Sequence, residues 1–439
     1  MKEPVSTEEK PMRVMLAEIH EEKMSIIEAD SLARELAGLV NTLGLEIVSE
    51  ETIHIRQKSA QYGMGSGKAA ELAQKAASLD IDCIIFDCDL SPSQQRNWED
   101  LAGLPVIDRQ ELIIQIFASR ARTREAELQI NLAELNYALP RLRHKYIDLS
   151  RQRGGRYGTR GAGETRFETD RRRVEQRIQR LEEELEDVKQ QRKVQRRQRE
   201  RQGIPVCALV GYTNAGKSSI LNALTGADVL AEDKLFATLD STSRKLELHE
   251  GMQALLIDTV GFIRRLPHNL INAFRSTLEE ICLADILLNV IDISSPDAEK
   301  QYETTLSVLR DLGAENIPMI TVLNKVDLLE AGNAGTAAFV KKISGPGIGG
   351  PGTAGSVAGS AEVSALDGRG LPELCALIEK KLSGSSTRFR FPPERTDLAA
   401  LLHRSGTVIS EKYAESYIEV EARVDEKISG RLKEFQYND

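Results

Sequence analysis

The sequence predicts an α/β protein built from several domains. Short apolar, β-branched runs alternate with helix-like segments over residues 12–120 and again over 204–383, and between these blocks the pattern changes to a heptad repeat. At 439 residues the chain is too long for one ordinary domain.

In the first block the strand-like runs are Arg13–Glu18, Glu46–Ile55, Cys83–Asp87 and Pro105–Ile107. Helix-like segments fill the gaps at Ile26–Leu43, Lys68–Ser78, Pro92–Leu101 and Gln110–Ala121. Such alternation predicts an N-terminal α/β domain, residues 1–121, around a mainly parallel sheet. Residues 122–203 carry two apolar stripes with 4, 3, 4, 3 spacing: Leu128, Leu132, Leu135, Leu139, Leu142, and then Val174, Ile178, Leu181, Leu185, Val188. Two stripes of this kind predict two packed helices. The Gly- and Arg-rich stretch at about 145–168 would join them as an antiparallel helical hairpin. Pro140 should kink or end the first helix, since it has no N–H to donate and its ring crowds the preceding turn. The charged run Lys189–Arg201 reads as a solvated linker helix.

The second block, residues 204–385, contains the strand-like runs Ile204–Val210, Ala254–Ile257, Ile286–Ile291 and Met319–Leu323. Within it, Gly332–Ser360 is rich in Gly, Ala, Ser and Pro. It lacks the apolar surface to order itself and is expected to be a flexible insertion. Residues 386–439 are expected to form a short C-terminal tail domain with a strand near Tyr417–Val424.

Composition narrows the function classes. Apolar residues make up 41% and charged residues 28%, a globular balance. The 58 basic and 67 acidic side chains leave a net charge of -9, which argues against a uniformly basic nucleic-acid binder and leaves room for a local basic patch. Met1–Lys10 is polar and no apolar signal core follows it. No run approaches the ~18 apolar residues of a membrane span, so no membrane insertion and a cytoplasmic location are expected. The five cysteines form no CxxC pair and read as buried thiols in a reducing compartment.

The chemistry is carried by four motifs at the ends of the second block's strands. Gly211, Tyr212, Thr213, Asn214, Ala215, Gly216, Lys217 and Ser218 spell GxxxxGK[ST], with a strand before and a helix opening at Ser219 after. Such a loop turns its backbone N–H groups and a helix N-terminus toward phosphate oxygens. Lys217 should reach the β- and γ-phosphates and the Ser218 hydroxyl should bind Mg2+. Asp258-Thr259-Val260-Gly261 supplies a carboxylate for Mg2+ and a glycine N–H for the γ-phosphate. Asn324-Lys325-Val326-Asp327 selects guanine: the Asp327 carboxylate can accept both N1–H and the exocyclic amine, a pattern that adenine does not offer. Ser364-Ala365-Leu366 can meet the guanine carbonyl through its backbone. Each short motif is weak alone, but their order at the carboxyl ends of strands is specific and predicts a P-loop GTPase domain. GTP is the expected substrate and GDP the product.

Completing the Mg2+ shell in the GTP state requires a hydroxyl between the phosphate loop and Gly261. Thr238 is the candidate, with Phe236 beside it at the nucleotide; Thr242 is the alternative, and spacing does not decide between them. Lys217, Thr238 and Gly261 are the residues expected at the chemistry. Phe262 follows Gly261 where many GTPases carry a Gln that orients water. Phe offers no hydrogen bond for that task, so hydrolysis by the chain alone should be slow and a partner should stimulate it.

Leu235–Asp240 (LFATLD), Asp258–Ile263 (DTVGFI) and Arg151–Arg172 (RQRGGRYGTRGAGETRFETDRR) resemble the HflX family of GTPases, as does the order of parts. The resemblance covers roughly 12–330 and 361–424. It implies a cytoplasmic protein that binds the large ribosomal subunit, dissociates stalled or idle ribosomes, and hydrolyses GTP under ribosomal stimulation. The phosphate loop, DxxG, NKxD and SAL residues carry over one by one, and Phe262 fits the family pattern. Ser241 stands where that pattern expects Pro, and the insertion 332–360 has no place in it.

Residue chemistry supports an RNA partner independently. From Arg141 to Arg166 eight basic residues stand against Asp148 and Glu164. Arginines among glycines, with Tyr146 and Tyr157 interleaved, suit phosphates and unpaired bases, so the loop 151–166 is the expected ribosomal RNA contact. The rival readings are a GTP-gated coiled-coil adaptor and a ribosome-assembly factor. A monomer is expected. One lookalike, Gly63-Met64-Gly65-Ser66-Gly67-Lys68, lacks the first glycine and the hydroxyl of a phosphate loop. It reads as a turn at a helix start, with a second, ATP-type site as the alternative.

Overall fold

The computed structural model describes residues 11–437 apart from 22–23, 153–161, 202–203, 228–231, 233, 249–251, 266–277, 330–338, 340–356, 383–385, 415 and 425. Two compact units emerge. One holds residues up to Gln191 together with Glu232–Asp240 and Arg265–Ser276; the other holds Arg192–Ala231, Ser241–Arg264 and Thr277 onward.

The first unit opens with β1 (Arg13–Glu21), α1 (Ile26–Thr42), β2 (Glu46–Ile55), α2 (Ser66–Ser78), β3 (Cys83–Phe86), α3 (Pro92–Ala102), β4 (Val106–Asp108) and α4 (Arg109–Arg120). The sheet order is β2-β1-β3-β4 and every pair is parallel. Local signals set the helix ends. Ser91 and Gln94 form a capping box at the start of α3, Pro92 occupies its first turn, and Gly103 closes it in the left-handed conformation. The Gly63–Lys68 lookalike is the entry to α2, capped by Gly65 with no side-chain hydrogen bond. Lys68 turns its ammonium to the His54 carbonyl at 3.4 Å.

Two long helices follow, α5 (Arg124–Gln152) and α6 (Ala162–Arg201). Leu128, Leu181 and Leu185 are buried against one another, with Leu132, Leu135 and Val188 packed around them, so these parts of the two heptad stripes face each other. Pro140 does not end α5. Tertiary anchors hold the helix around it: the Tyr137 hydroxyl donates to Glu111 at 3.0 Å, and Arg141 stacks on the Tyr137 ring at 3.4 Å while donating to Asp108 and to the Leu90 carbonyl. Most of the Gly/Arg loop, and all its side chains, lie outside the described residues.

A buried ionic cluster closes the carboxyl end of the first sheet. Arg109 donates to Asp87 at 2.6 Å and to Glu35, and all three are nearly inaccessible. Burial opposes the Arg109 charge; the Asp87 and Glu35 carboxylates more than offset it and leave its pKa raised. Arg265 reaches Asp87 from a separate segment at 3.1 Å. The segment Glu232–Asp240 packs in the same unit. Phe236 meets Phe117 edge-on at 4.7 Å, Glu232 pairs with Arg120 at 2.7 Å, and Asp240 accepts from the Arg122 and Thr123 amides just ahead of α5, which Thr123 caps by accepting from the Ala126 amide.

The second unit contains β5 (Val206–Gly211), α7 (Lys217–Thr225), β6 (Thr242–Glu247), β7 (Gln253–Asp258), β8 (Ile286–Asp292), α8 (Ala298–Asp311), β9 (Met319–Asn324), β10 (Val357–Glu362) and α9 (Leu371–Leu382). Its sheet order is β10-β9-β8-β5-β7-β6, with only the β6–β7 pair antiparallel. β5 is central, and its neighbours are reached by crossovers in opposite directions, so its carboxyl end is a topological switch point. Cys207, Leu209, Ile220, Leu256, Leu288, Val322 and Leu374 form the core on one face. β6 is absent from the sequence reading because Leu246 is its one buried residue, as befits a polar edge strand. Val357–Ser360, read as the end of the low-complexity insertion, instead pairs with β9 as part of β10; a sheet edge accepts small residues that could not nucleate structure alone.

A three-stranded antiparallel sheet ends the chain: β11 (Ser386–Phe391), then α10 (Thr396–Ser405), β12 (Gly406–Tyr413), β13 (Ile418–Val424) and α11 (Glu426–Arg431), in order β11-β13-β12. Phe389, Phe391, Leu402 and Val420 form its core.

Candidate nucleotide site

The phosphate loop leaves β5 at Gly211 and enters α7 at Lys217. Asn214 and Gly216 adopt left-handed backbone conformations, which turns the loop back on itself. A side chain at Gly216 would overlap the Asn324 amide, so the close approach of β9 requires glycine there. Four of the five described non-glycine residues with positive φ, namely Asn214, Phe236, Arg265 and Lys325, lie in or beside the motif segments.

Lys217 is 6% exposed and donates to the Tyr212 carbonyl at 2.8 Å and the Gly211 carbonyl at 3.3 Å. Burial pushes its ammonium down to about 8, with Asp258 pulling the other way. A phosphate would supply the anion that such a lysine lacks. The Ser218 hydroxyl donates to Asp258 at 2.6 Å, and the Asp258 side chain is fully buried at the end of β7. Two hard oxygen donors therefore converge beside the loop, a donor set that suits a divalent cation sharing its shell with phosphate and water. Thr259 is locked by a 2.6 Å bond to the Leu209 carbonyl. Ser219 continues the first turn of α7.

Thr238 lies between Phe236 and Asp240, both anchored in the first unit; Phe236 is 2% exposed, with its ring turned into that unit's core. Thr242, the alternative, opens β6 and stands opposite Asp258 in the ladder.

Asn324 ties the end of β9 to the phosphate loop. Its amide donates to the Ala215 carbonyl at 2.9 Å, and its carbonyl oxygen accepts from the Ala365 amide at 3.3 Å. A guanine carbonyl would compete with Asn324 for that last donor. Lys325 is held in its left-handed conformation by an ion pair with Asp292 at 2.8 Å. Asp292 was not singled out from the sequence; its one signal is its place at the carboxyl end of β8. Asp327 sits half-buried in the short helical turn Val326–Leu328. Ser364 is buried and its hydroxyl accepts from the Asp367 amide, which shapes the turn that leaves Leu366 86% exposed.

Gly261 touches the phosphate loop. A Cβ there would lie 2.6 Å from Thr213 Cα and 2.8 Å from the Lys217 ammonium. Backbone cannot yield as a flexible side chain does, so Gly261→Ala is expected to destabilise this unit by about 1–3 kcal/mol, the usual cost of overpacking. An unchanged denaturant midpoint would contradict the contact.

Comparison with known proteins agrees with this geometry. Residues 30–118 match the family described as GTP-binding GTPase N-terminal, 120–199 the GTP-binding GTPase middle region, and 206–325 the 50S ribosome-binding GTPase family. The chain is 44% identical over 432 residues to the GTPase HflX of Akkermansia muciniphila, covering 96% of each. It is 41% identical over 410 residues to that of Caldanaerobacter subterraneus subsp. tengcongensis, covering 93% of this chain and 91% of the relative. Identity to the Escherichia coli HflX is 38% over 373 residues, 84% of each. With full-length relatives at this level and all three family regions in order, the chain belongs to the HflX family of GTPases and hydrolyses GTP.

Proposed function

We propose that this chain is a cytoplasmic switch that binds the large ribosomal subunit in its GTP form, dissociates stalled or idle ribosomes, and is released by hydrolysis. Lys217 and the loop amides neutralise the phosphates. Ser218, Asp258 and Thr238 hold Mg2+, which when bound offsets charge developing on the β- and γ-phosphate oxygens. Asn324, Asp327 and Ala365 read guanine, with the Lys325 stem along the base. The partner reading draws on the match of residues 206–325 to a family described as 50S ribosome-binding and on the basic stretch 151–166. That stretch would meet ribosomal RNA as a monomer's hairpin tip.

The observation that carries partner-dependent hydrolysis is Phe262. It is 1% exposed, and its backbone is bonded to Gly211 and Thr213. The position that orients water in many GTPases is here apolar and packed away, so an outside group must complete the site. GTP turnover measured at fixed protein should rise roughly 100-fold or more when purified large subunits are added, the order of effect that a missing catalytic group has in this chemistry. Basal turnover unmoved by large subunits would refute the ribosomal switch and leave a GTPase with another partner.

A further inference from the structure

The carboxyl ends of β8 and β9 are tied by one ion pair. The two strands run parallel with Asp292 opposite Asn324, and the Ile293 amide donates to the Asn324 carbonyl at 3.1 Å, one step past the end of β8. Lys325 comes next. Its backbone turns left-handed at φ 66°, which ends β9 and opens the short helical turn Val326–Leu328. A residue with a Cβ enters that region only at a cost, so its surroundings must hold it there.

Asp292 does the holding. One of its carboxylate oxygens accepts from the Lys325 ammonium at 2.8 Å. The other accepts from the Ser294 amide at 3.0 Å and from the Ser294 hydroxyl at 2.5 Å. That local turn orients the carboxylate without help from Lys325, so the anion is aimed before the lysine arrives. The Lys325 and Asp292 side chains are 25% and 15% exposed, and water screens the pair only in part. Lys325 is thereby a clamped joint between two groups. Behind it, the Asn324 side chain braces the phosphate loop at the Ala215 carbonyl and accepts from the Ala365 amide. Ahead of it, the half-buried turn carries Asp327.

We infer that Asp292 is a positioning residue for guanine recognition. It acts through Lys325, anchoring the end of the stem that lies along the base and fixing the joint from which Asp327 is presented. This rests on the reading of residues 324–327 as the base reader. The residue type follows from the two tasks. An asparagine would keep an acceptor for Ser294 but would set an N–H against the ammonium. Because the role concerns the base and not the phosphates, Asp292 should weigh equally on GDP and GTP.

The test measures affinities of the full chain for fluorescent GDP and for a non-hydrolysable fluorescent GTP analogue. Asp292→Asn should weaken both by the same factor, about fivefold, the worth of one hydrogen bond to a partly exposed partner. Lys325→Met keeps the stem and removes the ammonium. Adding Asp292→Asn to it should change either affinity by less than about twofold, since residues acting as one unit do not add. Asp292→Glu keeps the charge within reach of a flexible lysine and should bind to within about twofold of the wild type. Unchanged affinities in Asp292→Asn, a loss confined to the GTP analogue, the same loss recurring in the Lys325→Met background, or a Glu variant no better than the Asn variant would each overturn the role. Lys325→Met alone should weaken both nucleotides alike, which decides the matter even where Asp292→Asn does not fold; an unchanged affinity there overturns the joint. Failure of the wild-type chain to bind either nucleotide would instead defeat the GTP-site reading itself.

Discussion

Asp327→Asn is expected to lower the preference for GTP over xanthosine triphosphate by roughly 10²–10⁴-fold. An ionised carboxylate offers acceptors only, and guanine presents two donors, N1–H and the exocyclic amine, to the proposed reader. An amide turns one acceptor into a donor and so faces an N–H with an N–H. Two charge-assisted bonds at about 1.5–3 kcal/mol each set the range. Xanthine carries a carbonyl where guanine carries the amine and should gain what guanine loses. Direct titration of both triphosphates against the variant decides the matter: retained GTP affinity with continued rejection of the xanthine nucleotide would remove Asp327 from its role. The half-buried turn Val326–Leu328 and the Lys325–Asp292 pair should hold the main chain in place, so the change is one of recognition and not of fold.

Arg109→Met is expected to cost about 3–5 kcal/mol of stability in the first unit, the usual penalty for removing one partner of a buried ion pair. Glu35 and Asp87 would be left as buried carboxylates facing each other, with the partly exposed Arg265 as their remaining cation. Desolvation and mutual repulsion would raise their native pKa values above those of the unfolded chain. The native variant then binds more protons than the unfolded one, so its stability rises as pH falls through that window. The deficit relative to the wild type should therefore be larger at pH 8 than at pH 5. Urea unfolding at the two pH values measures this, and a deficit independent of pH would show that the loss is one of packing alone. Asp87 already titrates higher than an ordinary aspartate because burial outweighs the fields of Arg109 and Arg265, which points to the same sensitivity.

The parts of this protein that were legible in the sequence are those whose signal is local. The phosphate loop is eight consecutive residues, α3 announces its start and finish through Ser91, Gln94, Pro92 and Gly103, and the heptad stripes of α5 and α6 nominate Leu128, Leu181 and Leu185, which are buried together. Tertiary partners are what local patterns omit. Arg109 meets Glu35 across 74 positions, Arg264 meets Tyr212 across 52, and Asn324 meets Ala215 across 109. No periodicity encodes such pairings. Pro140 errs in the same direction: its local cost is real, and anchors on α3 and α4 outweigh it. β6 and the first residues of β10 were missed because edge strands need little apolar patterning.

The bond from Asn324 to the Ala215 carbonyl also bears on the protein's synthesis. A chain emerging from its N-terminus delivers the phosphate loop long before β9, so the loop waits about a hundred residues for the side chain that braces it. Until then the proposed nucleotide site lacks both its braced loop and the segment proposed to read the base, and tight binding is not expected. Ligand stabilisation is thereby withheld from half-made domains and given only to finished ones.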